Sequence, residues 1–160
     1  MIVLGLEGTA HTWGVGIFDG KKILANVKDV YVPKKGSGIH PGEAAEHHRK
    51  TADAVFKKAL DDAGMTLDDI DYLAYSKGPG LPPCLKAITG FIKTLPPKKI
   101  IEVNHPVAHI EVAKFMTGTK DPIVIYVSGG NTQIIGYAAG RYRVFGESED
   151  IAIGNAIDTF

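Results

Sequence analysis

Ile2-Val3-Leu4-Gly5-Leu6-Glu7-Gly8-Thr9 is an apolar strand that runs into a glycine turn. Ile123-Val124-Ile125-Tyr126-Val127-Ser128-Gly129-Gly130 repeats that pattern about 120 residues later. The Asp19-Gly20 turn that follows the first copy has its echo in Ala139-Gly140, followed by a strand from Arg141 to Gly146. A spacing this long is not that of a solenoid, whose periods run to about 50 residues. It suits a protein built from two similar lobes, of which the second is represented by its first strands.

Working outward, Trp13 to Phe18 and Ile23 to Val32 read as two further strands around the hairpin turn at Asp19-Gly20. Pro33 to Gly42 is a Gly/Pro-rich loop. Ala52, Val55, Phe56, Ala59, Leu60 and Ala63 recur at helical spacing and predict a long helix from about Gly42 to Ala63, capped by Gly64. Ile70 to Tyr75 predicts a strand, Pro82-Pro83 opens a helix that ends by Pro96-Pro97, Ile100 to Val103 predicts a strand, and His105 to about Met116 a helix. The order βββ-α-β-α-β-α predicts an α/β fold of the ribonuclease-H-like kind. Two such units facing each other make the actin-like ATPase (ASKHA) architecture, in which two glycine-rich turns clasp a nucleotide's phosphates. Glycine lets backbone N–H groups approach phosphate oxygens closely. Residues 1–118 are expected to form the first lobe, and 119–160 the first strands of a truncated second.

His105-x-x-x-His109 is the sharpest chemical feature. Four residues apart on a helix, two imidazoles share one face with Cβ atoms about 6 Å apart and can hold one metal ion; an ordinary pair of histidines near a helix start is the alternative. The preceding strand delivers this helix to the carboxyl edge of a sheet, where open α/β proteins place ligands. Tyr126, at the end of the next strand, is available as a phenolate ligand. Ser128-Gly129-Gly130-Asn131-Thr132 reads as a phosphate-binding turn or as a tight hairpin, and Gly5 to Ala10 as a weaker version of the same. Asp158, near the start of a last helix, is either a ribose ligand or a surface carboxylate in a helical first turn. His11, His40, His47 and His48 read as solvent or loop histidines, with the alternative that His47-His48, on the long helix, faces the cleft. Cys84 reads as a small buried residue.

Composition narrows the class. With 44% hydrophobic and 22% charged residues the chain is ordinary for a globular protein. A formal net charge of zero gives no global electrostatic signature of a nucleic-acid binder. The pairs Lys34-Lys35, Arg49-Lys50, Lys57-Lys58 and Lys98-Lys99 read as solvated faces. A single cysteine permits no intrachain disulfide, which fits a reducing compartment. The start lacks a basic leader and meets Glu7 at once, unlike a signal peptide, and no apolar run nears the roughly 20 residues that span a bilayer. A cytoplasmic protein without membrane contact is expected.

Together, Gly5-Leu6-Glu7-Gly8-Thr9-Ala10, Pro41 to His48, Ser76 to Leu81, Asn104-His105-Pro106-Val107-Ala108-His109-Ile110-Glu111, Tyr126 to Gln133 and Gly154 to Asp158 resemble the universal tRNA threonylcarbamoyladenosine synthase family, formerly named O-sialoglycoprotein endopeptidases. Tyr126 resembles the archaeal and eukaryotic cytosolic branch. The resemblance implies transfer of a threonylcarbamoyl group from threonylcarbamoyl-adenylate to N6 of the adenine 3′ of a tRNA anticodon. It implies His105, His109 and Tyr126 as ligands of one iron or zinc ion. Tyr126, Val127, Ser128, Gly129, Gly130 and Asp158 match nucleotide-contacting positions, with Glu7, Gly8 and Thr9 on the opposing turn, for ATP or an adenylate. The implied partners are tRNA and the other subunits of a KEOPS assembly. Family members run to roughly twice this length, so the later aspartate that completes the metal site lies outside these 160 residues. The helix-to-strand link at Thr94 to Lys99 is also shorter than the family's usual one. The chain alone is therefore expected to be incomplete for catalysis, and to pack against a second lobe or self-associate.

Three other readings compete. A non-catalytic partner-binding lobe of the same assembly keeps the fold and loses the chemistry. An ATP-dependent kinase lobe uses both glycine turns but gives the two histidines and Tyr126 no task. A ribonuclease-H-like nuclease needs a cluster of carboxylates, and Glu7 has no matching set on the expected strands. A protease has no support, because HxxxH lacks the glutamate of the zinc-protease motif.

Overall fold

The computed structural model describes every residue except Gly36 and Gly129, and of Asp158 only the backbone. The chain divides into two compact units, Met1–His105 and Pro106–Phe160.

The first unit begins with three strands, β1 (Val3–Glu7), β2 (Thr12–Phe18) and β3 (Ile23–Val30), paired as an antiparallel meander. Their side chains alternate across the sheet as a period of two requires. Leu4, Leu6, Trp13, Val15, Ile17, Ala25 and Val27 all point inward and are buried. The register sets Leu4 opposite Ile17 and Leu6 opposite Val15, so the inward residues of neighbouring strands meet. Each buried Leu, Ile or Val among them contributes about 1.5–3 kcal/mol by leaving water.

Against this face lies α1 (Pro41–Ala63), with proline at its first turn, where no N–H is lost from the ladder. It ends on Gly64 at φ 64°, the left-handed position that favours glycine. The helix buries Ala44, Ala45, His48, Ala52, Val55, Phe56, Ala59 and Leu60. After a 3-10 turn at Leu67–Asp69, β4 (Tyr72–Gly78) pairs parallel with β1. Then α2 (Pro82–Ile92) leads to β5 (Lys99–Asn104), parallel to β4. The sheet order is β3-β2-β1-β4-β5, which places the ends of β1, β4 and β5 side by side. Cys84 is buried on α2, as its sequence context suggests.

His48 differs from the expectation of a solvent or loop histidine. It is fully buried, its ring 5.4 Å from that of Trp13. The reason is helical phase: Ala44, His48 and Ala52 follow each other at i+4 on the buried face of α1. His47, one residue earlier, instead meets Asp29 of β3 at 2.9 Å.

The second unit holds α3, which runs His105–Thr117 and so starts on the last residue of the first unit, then β6 (Val124–Val127), β7 (Thr132–Ala138), β8 (Arg141–Glu147) and α4 (Ile153–Thr159). The three strands form an antiparallel meander in the order β6-β7-β8. This is the pattern of β1-β2-β3 again. β2 and β7 are each seven residues long, and each is entered through a glycine-bearing turn. The echo in the sequence is therefore a repeat of structure.

Candidate metal and nucleotide site

β1 ends in Glu7, and the chain turns back at once through Gly8 and Thr9. This turn is braced from three directions. A Cβ on Gly8 would lie 2.9 Å from the Trp13 ring and 3.0 Å from Ile88. A Cβ on Gly80 would lie 2.6 Å from the Thr9 carbonyl oxygen and 2.7 Å from its Cβ. Only glycine lets these backbones approach so closely. The Leu81 N–H then donates to the Thr9 carbonyl at 2.7 Å.

The Glu7 carboxylate organises the polar side of the turn. Its Oε1 accepts from the Thr9 N–H at 2.8 Å and from the Thr9 hydroxyl at 2.6 Å. Its Oε2 lies 3.0 Å from His105 Nδ1. The Thr9 Oγ1 is itself 3.3 Å from that nitrogen. Burial pushes the Glu7 carboxyl up, but hydrogen bonds from His105, Ser76 and Thr9 outweigh it and hold the group down at about 2. Glu7 is thus an ionised acceptor at neutral pH. Ser76, on β4 beside β1, belongs to the Ser76 to Leu81 stretch that carries part of the resemblance, but the sequence does not tie it to Glu7; in the strand it is buried next to that carboxylate.

In the second unit, His109 on α3 and Tyr126 on β6 come together, with ring centroids 6.1 Å apart and planes tilted by 59°. Both line a shallow cleft with Ile110, Ala113 and Val124. Val127 ends β6, and the following turn is closed by the Ser128 N–H donating to the Asn131 carbonyl at 2.8 Å and the Asn131 N–H to Ser128 Oγ at 2.9 Å. Gly130 lies in this turn; Gly129 lies outside the described residues, as does the side chain of Asp158 on α4.

The structure thus assembles Glu7, Thr9 and His105 in one unit, and His109 with Tyr126 in the other. Among the described residues, no three His, Cys, Asp or Glu side chains converge to hold a metal ion. Imidazole and phenolate are donor types that both iron and zinc accept. His105 also carries the carboxylate partner usual for a ligating imidazole.

The TsaD family model, described as tRNA N6-adenosine threonylcarbamoyltransferase, matches residues 22–160. The chain belongs to the TsaD family. A TsaD-family relative named tRNA N6-adenosine threonylcarbamoyltransferase, from Thermococcus gammatolerans, is 55% identical over 100% of this chain and 50% of its own length. The protein of the same name from Caldivirga maquilingensis is 52% identical over 100% of this chain and 49% of its own. A probable bifunctional tRNA threonylcarbamoyladenosine biosynthesis protein from Thermoplasma volcanium is 53% identical, with 31% of its length covered. The chain spans about half the length of the first two of these relatives.

Among solved structures, YeaZ from Pseudomonas aeruginosa superposes with a TM-score of 0.61 at 16% identity, over 92% of this chain and 65% of that one. The Aquifex aeolicus member of the Ppx/GppA family gives 0.56 at 16%, over 100% and 54%. The ROK hexokinase from Thermus thermophilus gives 0.51 at 20%, over 89% and 49%. At these identities the likeness is one of fold, and the fold is the actin-like ATPase one expected from the strand order. The kinase among these structures bears on architecture and leaves the kinase chemistry without support. Among the described residues, no helix is long and apolar enough to cross a membrane.

Proposed function

We propose that this chain serves in tRNA threonylcarbamoyladenosine biosynthesis, as one part of the catalytic body that transfers threonylcarbamoyl from threonylcarbamoyl-adenylate to N6 of the adenine 3′ of the anticodon. The observation that carries this reading is the family match over residues 22–160. In the transfer, N6 attacks the carbamoyl carbon and a C–N bond forms. The carbamoyl C–O bond to the adenylate phosphate breaks, AMP leaves, and N6 gives up one proton to solvent.

His105, His109 and Tyr126 would hold the iron or zinc ion, with a further carboxylate from outside this chain. When bound, the metal supplies Lewis-acid polarisation of the threonylcarbamoyl group. The chain's own residues position the substrate. The turn at Gly8 and Thr9, beside Glu7, faces the nucleotide from one lobe. Tyr126, Val127, Ser128, Gly129 and Gly130 seat the adenylate from the other through backbone N–H groups, and Asp158 bonds a ribose hydroxyl. Residues 1–118 act as the first lobe and 119–160 open the second. tRNA, KEOPS-type subunits and the remainder of the second lobe are the partners, and the cytoplasm is the compartment.

A second reading, a non-catalytic partner-binding lobe of the same assembly, is favoured by one observation. Ile125 and Ile134 face each other across β6 and β7 with relative exposures of 70% and 47%. With Ile123 and Val127 also exposed, the pair belongs to a contiguous apolar face of the kind that meets another surface.

Metal content separates the two. The anaerobically purified protein is expected to carry close to one iron or zinc per chain, and a His105→Ala, His109→Ala double variant to carry none. Absence of metal from both would favour the partner-binding lobe.

A further inference from the structure

We infer that Glu7 is a positioning residue: its carboxylate ties the first glycine turn to the His105 imidazole and fixes which ring nitrogen His105 presents to the metal. This rests on the proposed reading of His105 as a ligand. It assigns Glu7 a role other than touching the nucleotide.

The geometry leaves Glu7 little freedom for another task. Oε1 is committed to the N–H and hydroxyl of Thr9, at 2.8 and 2.6 Å. Oε2 is committed to His105 Nδ1, at 3.0 Å. Ser76 of β4 also favours the charged form of this carboxylate. A carboxylate only accepts, so the facing Nδ1 carries the proton. The Thr9 Oγ1, having donated its hydrogen to Glu7, is an acceptor toward the same Nδ1 at 3.3 Å. Both neighbours therefore select the same tautomer. In a neutral imidazole with the proton on Nδ1, the lone pair sits on Nε2, and Nε2 is the nitrogen that ligates.

The same bonds fix the turn. With its N–H and hydroxyl held by Glu7 and its carbonyl held by the Leu81 N–H at 2.7 Å, Thr9 is locked on both sides. Gly80 packs against its backbone. The turn and the His105 ring are thus one hydrogen-bonded unit, in which displacing either end disturbs the other.

Glu7→Gln tests this because the amide reverses one donor. The Thr9 N–H needs an acceptor, so the glutamine oxygen stays on that side and its NH2 faces His105 Nδ1. Nδ1 must then accept, and the proton moves to Nε2. The readout is ¹⁵N NMR of histidine-labelled, metal-free protein at alkaline pH, with His105→Ala assigning the signal. The wild type is expected to show the Nδ1–H form and Glu7→Gln the Nε2–H form. A wild type in the Nε2–H form overturns the proposal without recourse to any variant, and so does a tautomer unchanged by Glu7→Gln.

Zinc affinity of the same proteins, by competition with a chromophoric chelator, is the second arm. Glu7→Gln is expected to weaken binding about 10- to 100-fold. Equal affinity in the two proteins overturns the ligand-orienting role. If the wild type binds no zinc while the tautomer still switches, the reading of His105 as a ligand fails and the Glu7–His105 coupling stands.

Discussion

His48 is a basic side chain placed where a hydrocarbon would be expected. Among the described residues neither ring nitrogen has a well-formed hydrogen bond. Burial pulls its pKa down. Backbone contacts at Ala10 and Gly8 oppose that shift, the neighbouring His47 adds to it, and the Glu7 charge opposes it. In the unfolded chain the group returns to about 6.5. Between the lowered folded value and 6.5, the unfolded chain binds a proton that the folded one does not. Stability therefore falls as pH drops below about 6.5, and the loss levels off at the folded pKa. Urea midpoints measured from pH 8 to pH 5 are expected to fall more steeply for the wild type than for His48→Phe, which keeps the ring against Trp13 and has no proton to gain. Parallel curves would remove His48 from the acid response.

At the scale of elements, the approach of the chain to α2 is a tight junction in the first unit. Gly80 precedes the helix and touches the Thr9 backbone, while Ile88, one face further along α2, packs under Gly8. The Gly80 neighbour is main chain, held by β1 and by the Leu81 hydrogen bond, and has no flexible end to move aside. Gly80→Ala is expected to cost about 1–3 kcal/mol in chemical denaturation, the usual range for overpacking. It should also disturb the glycine turn, seen as shifts in the Thr9 and Gly8 amide resonances. Gly90→Ala, on the same helix with no atom within 4 Å of the added methyl, is the control. It is expected to leave stability unchanged or slightly raised, since alanine favours the helix by up to about 1 kcal/mol.

At the scale of the molecule, the apolar surface of the second unit decides behaviour in solution. Ile125 and Val127 on β6, and Ile123 just before it, alternate and share one face; their exposures are 70%, 48% and 79%. Ile134, opposite Ile125, extends that face onto β7. The other side of the same strands buries Ile135. Aliphatic side chains on both sides of this antiparallel sheet leave an apolar face that another surface can cover. The protein by itself is expected to self-associate with rising concentration in sedimentation velocity. Ile125→Glu should shift it toward monomer with an unchanged melting temperature, because an exposed position contributes little to folding. Monodisperse monomer at high concentration would count against a covering surface there.

The repeat of Ile2 to Thr9 in Ile123 to Gly130 was enough to read the α/β class and the doubled architecture, because a strand running into a glycine turn is a local pattern. Helical phase placed most of α1 in the same way. His105-x-x-x-His109 and Tyr126 were singled out by spacing on one helix and position near a strand end, which are properties of the chain alone; the structure brings His109 and Tyr126 together. The cluster of Glu7, Thr9, Ser76 and His105 was not legible. Its members sit on β1, the first turn, β4 and the start of α3, and only the parallel pairing of β1 with β4 and of β4 with β5 brings them to one edge. His48 was misjudged for a related reason: its type suggested water, while the stripe of Ala44 and Ala52 around it turned it inward. Local periodicity is written in the residues themselves, whereas which polar groups share a proton depends on contacts between segments nearly a hundred residues apart. Those contacts exist only once the sheet has closed.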